Sequence, residues 1–203
     1  MGIELINGNC MDYMRNQPDN AFDLAIVDPP YGIGIAKSAG HRLKRYNKTP
    51  KNWDDATPDQ TYFDELFRVS KNQIIWGGNY FYLPPTQCFL IWDKSQPENF
   101  SFASCEYAWT SFQGVAKTYY QRPMNADIER IHTTQKPVKL YQWILDKFAK
   151  PEQKILDTHL GSASSAIAAH YFGVDFVGIE LDQAYYAAAK KRFNQATSQT
   201  SLF

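Results

Sequence analysis

Asp28-Pro29-Pro30-Tyr31 follows directly after the apolar run Leu24–Val27. Proline cannot donate a hydrogen bond within a sheet and it restricts the residue before it, so the pair predicts that a buried strand ends here. The aspartate then stands on a stiffened backbone with a tyrosine three residues away. Because stiffness holds a carboxylate in one place, these four residues are the first candidates for chemistry.

A second candidate segment lies at residues 154–182 and has the order strand, small-residue turn, helix, strand, acid. Its Gly-Ser-Ala-Ser turn at 161–164 would let a ligand approach the backbone at a helix N-terminus, where free amides favour carboxylate or phosphate. Glu180 ends the next strand, where an acid holds ribose hydroxyls in nucleoside-binding units. The phosphate-loop Gly-Lys-Ser/Thr is missing, and an ordinary strand–helix turn whose acids cap helices remains the alternative.

The rest of the chain predicts a scaffold that brings such strand ends together. Seven short apolar runs predict strands at Ile3–Ile6, Leu24–Val27, Gln73–Trp76, Cys88–Trp92, Tyr107–Phe112, Lys154–Leu156 and Asp175–Ile179. Four helices are predicted. The first is capped by Thr57 and has Pro58 at its first position, the second begins at Pro137, and the other two cover Ser164–Phe172 and Gln183–Phe193. This alternation predicts an α/β fold with a doubly wound, mainly parallel sheet and helices on both faces. Ligands of such sheets bind at the carboxyl ends of the strands.

Composition narrows the class of protein. At 203 residues the chain predicts a single domain over 1–203, and its 21 basic and 21 acidic residues exclude a polycation, so nucleic-acid affinity needs a local patch. The three cysteines are odd in number and outside any C-x-x-C pattern, which favours a reducing compartment without disulfides or a metal site. We find neither a membrane-spanning run nor a signal segment, and expect a cytoplasmic protein.

Together, D-P-P-Y and the D-x-x-x-G-S-x-S that begins at residue 157 resemble S-adenosylmethionine-dependent DNA amino-methyltransferases of the N6-adenine and N4-cytosine type. The motif order is that of their permuted β group. "INGNCMDYM", "IIWGGNYF" and "HTTQKPVKLYQWIL" agree in the same order, so the resemblance runs from residue 3 to about residue 193. It implies a seven-stranded methyltransferase sheet with one antiparallel edge strand near Tyr107–Phe112 or just after.

The resemblance implies a catalytic role for the D-P-P-Y residues. Asp28 would accept one hydrogen of an exocyclic amine and the Pro29 carbonyl the other, which turns the nitrogen lone pair toward a sulfonium methyl. Pro29 and Pro30 would fix this geometry, and Tyr31 would stack on a base flipped out of double-stranded DNA. The leading aspartate favours N6 of adenine, whereas N4 of cytosine, whose enzymes more often begin the motif with serine, is the alternative. A cysteine after proline, which carbon-5 methylation of cytosine needs, is absent.

The resemblance also implies a cofactor site. Its residues are Asn9, Cys10, Asp28, Lys136, Asp157, Thr158, His159, Gly161, Ser162, Ala163, Ser164 and Glu180. Asn9 and Cys10 would lie at the adenine edge, Glu180 at the ribose hydroxyls and Lys136 near the methionine carboxylate. A solvated charge is the alternative for Lys136.

Four positions depart from the family pattern. Asn9 replaces the usual aspartate, and Thr158 and His159 replace a common Pro-Phe pair. Ala163 replaces a second glycine, so we expect its turn to form without a positive φ there. These departures support a second alternative, a DNA-binding module with impaired catalysis. RNA or protein methylation, which goes with N-P-P-Y, is disfavoured by Asp28.

Two segments are predicted to contact DNA. Residues 32–55 form a basic DNA-contacting loop, with Lys37, Arg42, Lys44, Arg45, Lys48 and Lys51 and no acid before residue 54. Such a cluster would give salt-dependent, sequence-independent affinity, although a solvated loop is the alternative. Residues 93–130, with Arg122, Arg130, Tyr119 and Tyr120, are the candidate target-recognition region. Because these segments leave little room for a separate recognition domain, we expect either a short target site or a homodimer whose subunits share the recognition.

The C-terminal residues 195–203 predict a flexible tail. Its last five residues, Gln-Thr-Ser-Leu-Phe, resemble the peptide with which bacterial replication proteins dock on the sliding clamp. Gln199, Leu202 and Phe203 would make that contact. A tail packed on its own domain is the alternative.

Overall fold

The computed structural model describes residues 2–34, 53–96, 103–123, 131–132 and 134–198. Within these ranges the strands are β1 Ile3–Asn7, β2 Leu24–Val27, β3 Gln73–Trp76, β4 Leu90–Asp93, β5 Cys105–Thr110, β6 Lys117–Tyr120, β7 Lys154–Asp157 and β8 Asp175–Glu180. The α-helices are α1 Cys10–Arg15, α2 Gln60–Val69, α3 Val138–Phe148, α4 Ser164–Phe172 and α5 Gln183–Ser198, and a short 3-10 helix covers Gly78–Tyr80.

The strands form one sheet in the order β1-β8-β7-β2-β3-β5-β4-β6. β5 is antiparallel to β3 and β4, and the other neighbours are parallel. The α/β fold with a mainly parallel sheet is therefore confirmed.

Two details of the predicted sheet are wrong. In the described part of the chain the sheet has eight strands rather than seven, because β6 pairs with β4 at residues where no strand is predicted from the sequence. Its sequence Lys-Thr-Tyr-Tyr alternates half-buried and exposed residues, so it lacks the apolar run that marks an inner strand. The antiparallel strand β5 is not at the edge, since it lies between β3 and β4.

Helices cover both faces of the sheet. β2 and β3 are buried along their whole length, as expected for inner strands of a parallel sheet. Leu24 and Ile26 pack into the apolar layer that includes residues of α3, α4 and α5. Ala25 and Val27 point the other way, into the layer formed with α1 and α2. The doubly wound arrangement therefore follows from alternating side chains on one short strand.

Helix boundaries differ from the prediction at two places. Asp59, not Thr57, caps α2, because its carboxylate accepts the backbone N–H of Tyr62 at 3.2 Å. α5 continues to Ser198, so residues 195–198 are helical rather than part of a flexible tail. Gln199, Leu202 and Phe203 lie outside the described residues, and the clamp peptide stays a prediction.

Within the described ranges, no helix has the length and apolar character that crossing a bilayer requires. The same part of the chain brings no three His, Cys, Asp or Glu side chains together as metal ligands.

Candidate active site

A cavity of about 840 Å³ opens at the carboxyl edge of the parallel strands. Its walls come from the segments that follow β1, β2, β3, β7 and β8. Its lining includes Asp28 and Tyr31 as well as Gly161, Ser162 and Glu180. The volume lies in the range of small-molecule sites. The two segments with candidate chemistry therefore face one space, although more than 120 residues separate them in the chain.

Asp28 is held at both carboxylate oxygens. The hydroxyl of Tyr31 donates to Oδ1 at 2.6 Å, and the ammonium of Lys136 donates to Oδ2 at 2.5 Å. An ionised carboxylate has about four acceptor positions, so two remain for a ligand. The side chain keeps 18% of its surface exposed.

Tyr31 is fixed by the turn after β3. Its ring stacks on Tyr80 with centroids 5.0 Å apart and meets the edge of Phe81. Gly77 lies against the ring with φ +70°, and a Cβ there would come within 2.1 Å of Tyr31 Cε1, so only glycine fits. Burial, followed by the nearby charge of Asp28, raises the pKa of the phenol well above its usual value, so it stays a hydrogen-bond donor.

Asp54 anchors the backbone that follows the D-P-P-Y segment, and sequence reasoning missed it. Its Oδ1 accepts the N–H of Tyr31 at 2.8 Å and of Gly32 at 3.0 Å, and the side chain is buried. Gly32 has φ +71°, a conformation that favours glycine. The sequence signal that could have indicated Asp54 is its position as the first acidic residue after a long basic segment.

Lys136 lines the cavity and is paired with two carboxylates. Its Nζ lies between Asp28 and Oε2 of Glu106, 3.0 Å from the latter, and the side chain is only 3% exposed. Oε1 of Glu106 pairs with Lys94 at 2.8 Å. Burial alone would lower the pKa of Lys136, but the charges of Asp28 and Glu106 outweigh it and raise that pKa. Glu106 and Lys94 carried no motif that could have revealed them.

The turn at 161–164 is built around Glu180. One Glu180 oxygen accepts the N–H of Gly161 and the other that of Asp182, each at 2.9 Å. Ala163 adopts φ +60°, so the expectation of a turn without positive φ at this residue is wrong. Its backbone bonds to Leu160 O and Ile167 N close the turn and enforce that conformation. Arg192 on α5, also missed, donates to Ser162 O at 2.5 Å.

Asp157 shapes this turn from below the cavity surface. It accepts from the His159 N–H at 3.0 Å and from the Ser165 hydroxyl at 2.5 Å. Burial raises its pKa to about 7. Asp157 and Ala163 do not line the cavity, and the contacts described for them are with the turn itself.

Thr158 and His159 give the cavity a polar wall. The Thr158 hydroxyl bonds to the hydroxyl of Tyr62 at 2.7 Å and lies 2.9 Å from His159 Nδ1. Burial lowers the pKa of His159 to about 4, so its imidazole is neutral at physiological pH.

Comparison with known proteins decides the family. The model of a DNA methylase family, the N6/N4 methyltransferases, matches residues 75–191, more than half of the chain. The chain belongs to this DNA methylase family. Among curated proteins it is 26% identical to YubD of Escherichia coli (strain K12) over 92% of this chain and 88% of that protein. It is 22% identical to the type II methyltransferase M2.MboI of Moraxella bovis, over 96% and 89%.

Solved structures agree with the methylase fold. M1.HpyAVI in complex with S-adenosylmethionine matches with a TM-score of 0.62 at 19% identity, covering 95% of this chain and all of that one. The cytosine-N4-specific PvuII DNA methyltransferase matches with a TM-score of 0.64 at 11% identity, covering 98% and 91%. At such identities these likenesses confirm the architecture alone.

Asn9 and Cys10 of the methylase line the cavity next to the end of β1. Asn9 caps α1 through its side-chain oxygen, which accepts Met11 N–H at 2.8 Å. Burial raises the pKa of the Cys10 thiol to about 11, so it remains uncharged. Both residues are therefore neutral neighbours for a ligand.

The predicted DNA-contacting residues are only partly described. Arg122 is exposed just after β6. Tyr120 is also exposed, whereas Tyr119 is half-buried with its ring against Trp143. The other basic residues predicted to contact DNA, Lys37, Arg42, Lys44, Arg45, Lys48, Lys51 and Arg130, lie outside the described residues.

Proposed function

We propose that this methylase transfers the methyl group of S-adenosylmethionine to the N6 amine of an adenine flipped out of double-stranded DNA. One observation carries the proposal: Asp28 lines the same cavity as Gly161 and Ser162 of the 161–164 turn and Glu180 at the end of β8. An amine acceptor and a nucleoside-type site that share one space satisfy the proximity that methyl transfer needs.

The residues of the cavity fit S-adenosylmethionine. Glu180 offers a carboxylate at the end of β8 to the ribose hydroxyls, and Gly161 keeps the adjacent backbone accessible. Asn9 and Cys10 supply a neutral edge for the adenine. When bound, the cofactor supplies an electrophilic methyl on a sulfonium. Solved relatives, M1.HpyAVI among them, carry it.

The chain's own groups prepare the amine. Asp28 accepts one N–H and the Pro29 carbonyl the other, so the nitrogen lone pair leaves the plane of the base and faces the methyl group. On transfer the N–C bond would form as the S–C bond of the cofactor breaks, which leaves a neutral thioether. The amine proton would become acidic only then and would pass to the Asp28 carboxylate that already accepts its N–H. Fixed acceptors aimed at developing positive charge act as electrostatic preorganisation.

The identity of the base rests on the first residue of the motif. Asp28 favours adenine N6, and cytosine N4 is the second candidate because the family model that matches the chain covers both N6 and N4 methyltransferases. A type II methyltransferase among the relatives favours a role in restriction–modification.

Product analysis tests the proposal directly. The protein is incubated with genomic DNA and S-adenosylmethionine labelled in the methyl group, and the DNA is digested to nucleosides. Label in N6-methyldeoxyadenosine is expected. Label in N4-methyldeoxycytidine would overturn the base assignment, and unlabelled DNA combined with no heat of cofactor binding would favour a module without catalysis.

A further inference from the structure

We propose that Lys136, held by Glu106, is the positioning residue that orients Asp28 toward the target amine. This inference rests on the proposed function, since it assigns the support of the same acceptor. It differs from the role that the sequence suggested for Lys136, which was contact with the cofactor carboxylate.

The three N–H donors of the Lys136 ammonium have three oxygens around them. Nζ lies 2.5 Å from Asp28 Oδ2, 3.0 Å from Glu106 Oε2 and 3.4 Å from the Tyr31 hydroxyl. The rings of Trp76 and Tyr31 also lie near it, with centroids 5.1 Å and 5.8 Å away. Because an ammonium has three donors, this arrangement leaves none for a cofactor carboxylate.

The contacts also determine how Asp28 can rotate. Lys136 holds Oδ2 while the Tyr31 hydroxyl holds Oδ1, so the plane of the carboxylate is tied at both oxygens. Asp28 also lines the cavity, so the acceptor positions that remain on its two oxygens are the ones a ligand there could use. Without the ammonium one oxygen would be released and the carboxylate would turn.

Glu106 gives Lys136 its place. Glu106 lies on β5, opposite Trp92 of β4, so the antiparallel pairing of the two strands fixes its position along the sheet. Its second oxygen is taken by Lys94 at 2.8 Å. Asp28 and Glu106 together with the two lysines carry no net charge, which is how a buried ionic cluster avoids an unpaired charge. The strand that sequence reasoning put at the edge therefore supports the reaction centre.

Substitution at Lys136 tests the proposal. Single-turnover methyl transfer is measured on genomic DNA at saturating S-adenosylmethionine, and cofactor binding is measured separately by calorimetry. Lys136→Ala is expected to slow transfer by about 100-fold, the effect of a misplacement of roughly 1 Å, with cofactor affinity unchanged. Lys136→Met, which keeps most of the volume, should show the same loss and excludes a cavity effect.

Chemical rescue separates charge from packing. Ethylammonium added to Lys136→Ala should restore the rate at least tenfold, and ethanol of similar size should not. Glu106→Gln should lose about tenfold in rate, as expected for a hydrogen bond to a charged group. Lys71→Met, which removes a lysine paired with Asp23 at the opposite edge, is the matched control and should change neither rate nor affinity.

Three results would contradict the proposed role of Lys136, and each points to a different explanation. If Lys136→Ala binds the cofactor more weakly but keeps its rate at saturating cofactor, Lys136 contacts the cofactor carboxylate instead of positioning Asp28. Equal rescue by ethanol, or no rescue by ethylammonium, would reduce its role to packing. A wild-type protein that methylates no base would overturn the proposed function, whereas an active wild type with an equally active Lys136→Ala overturns this inference alone.

Discussion

Strand β2 has an aspartate just beyond each end, and both aspartates pair with a lysine. Before the strand, Asp23 accepts from Lys71 at 2.7 Å and from the Lys154 N–H at 2.9 Å. After the strand, Asp28 accepts from Lys136 at 2.5 Å. The side chain of Lys71 is 54% exposed and that of Lys136 only 3%.

The two pairs show what the carboxyl edge of the sheet adds. An exposed pair contributes at most about 1 kcal/mol and serves local structure. A buried pair loses hydration and is a weak source of stability, so its presence at the edge where ligand-binding loops converge fits a role in chemistry. Substitutions at the two edges should therefore affect different properties.

The largest expected difference is in activity. Asp28→Ala should lower methyl transfer by about 1,000-fold, because it removes a preorganised acceptor, while cofactor binding remains. Asp23→Ala should leave the transfer rate unchanged. Both are measured as single-turnover rates on genomic DNA. Full activity in Asp28→Ala would end both the proposed mechanism and the contrast between the edges.

A second substitution extends the contrast to Asp54. Asp54→Ala should lower the transfer rate by about 100-fold, since it frees the backbone that positions Tyr31. It should also lower the free energy of unfolding by about 2 kcal/mol, because two backbone N–H groups lose their acceptor. Asp64→Ala, at an exposed position on α2, is the control and should change neither. A normal rate with reduced stability would make Asp54 a purely structural residue.

The pH dependence of stability should have opposite signs at the two edges. Burial raises the pKa of Asp157 to about 7, so the folded state binds its proton more tightly and loses stability as pH rises from about 4 to 7. Asp157→Asn removes this titration. The difference in unfolding free energy between the variant and the wild type should therefore shift in favour of the variant by up to about 4 kcal/mol between pH 4 and pH 8.

Asp23 should behave in the reverse way. The hydrogen bond from Lys71 lowers its pKa, so its contribution is present at neutral pH and is lost as pH falls below about 4 through the folded-state pKa. Asp23→Asn should cost less than about 1 kcal/mol at pH 7 and progressively less as pH falls below about 4. Urea titrations at several pH values check both variants, and equal signs would contradict the contrast.

The smallest expected effect distinguishes the two ends of α4. Ala163 before the helix has φ +60°, and Gly173 after it has φ +82°. Ala163→Gly relieves a left-handed conformation that costs an alanine roughly 1–2 kcal/mol. The glycine also raises the conformational entropy of the unfolded chain, which offsets part of this gain, so the fold should be stabilised by about 0.5 kcal/mol. Gly173→Ala should destabilise by about 1 kcal/mol. Thermal unfolding measures both, and a destabilised Ala163→Gly would show that its methyl packing outweighs the strain.

Local features were predictable because their causes are local. The apolar runs of β2 and β3 and the prolines after β2 were read at the correct residues. β6 could not be read, since an edge strand with alternating exposure has no apolar run. The position of β5 also depended on pairing across the sheet, because its partner strands decide whether it lies inside or at an edge.

By itself, the sequence determined that an acid, two prolines and a tyrosine end a buried strand, and that a small-residue turn ends another. Only the tertiary structure decided which side chains meet there. Lys136 reaches Asp28 across 108 residues, Glu106 joins them from β5, and Asp54 anchors Tyr31 from beyond the basic segment. Long polar side chains find partners by proximity in space, and that proximity depends on the order in which the strands pair.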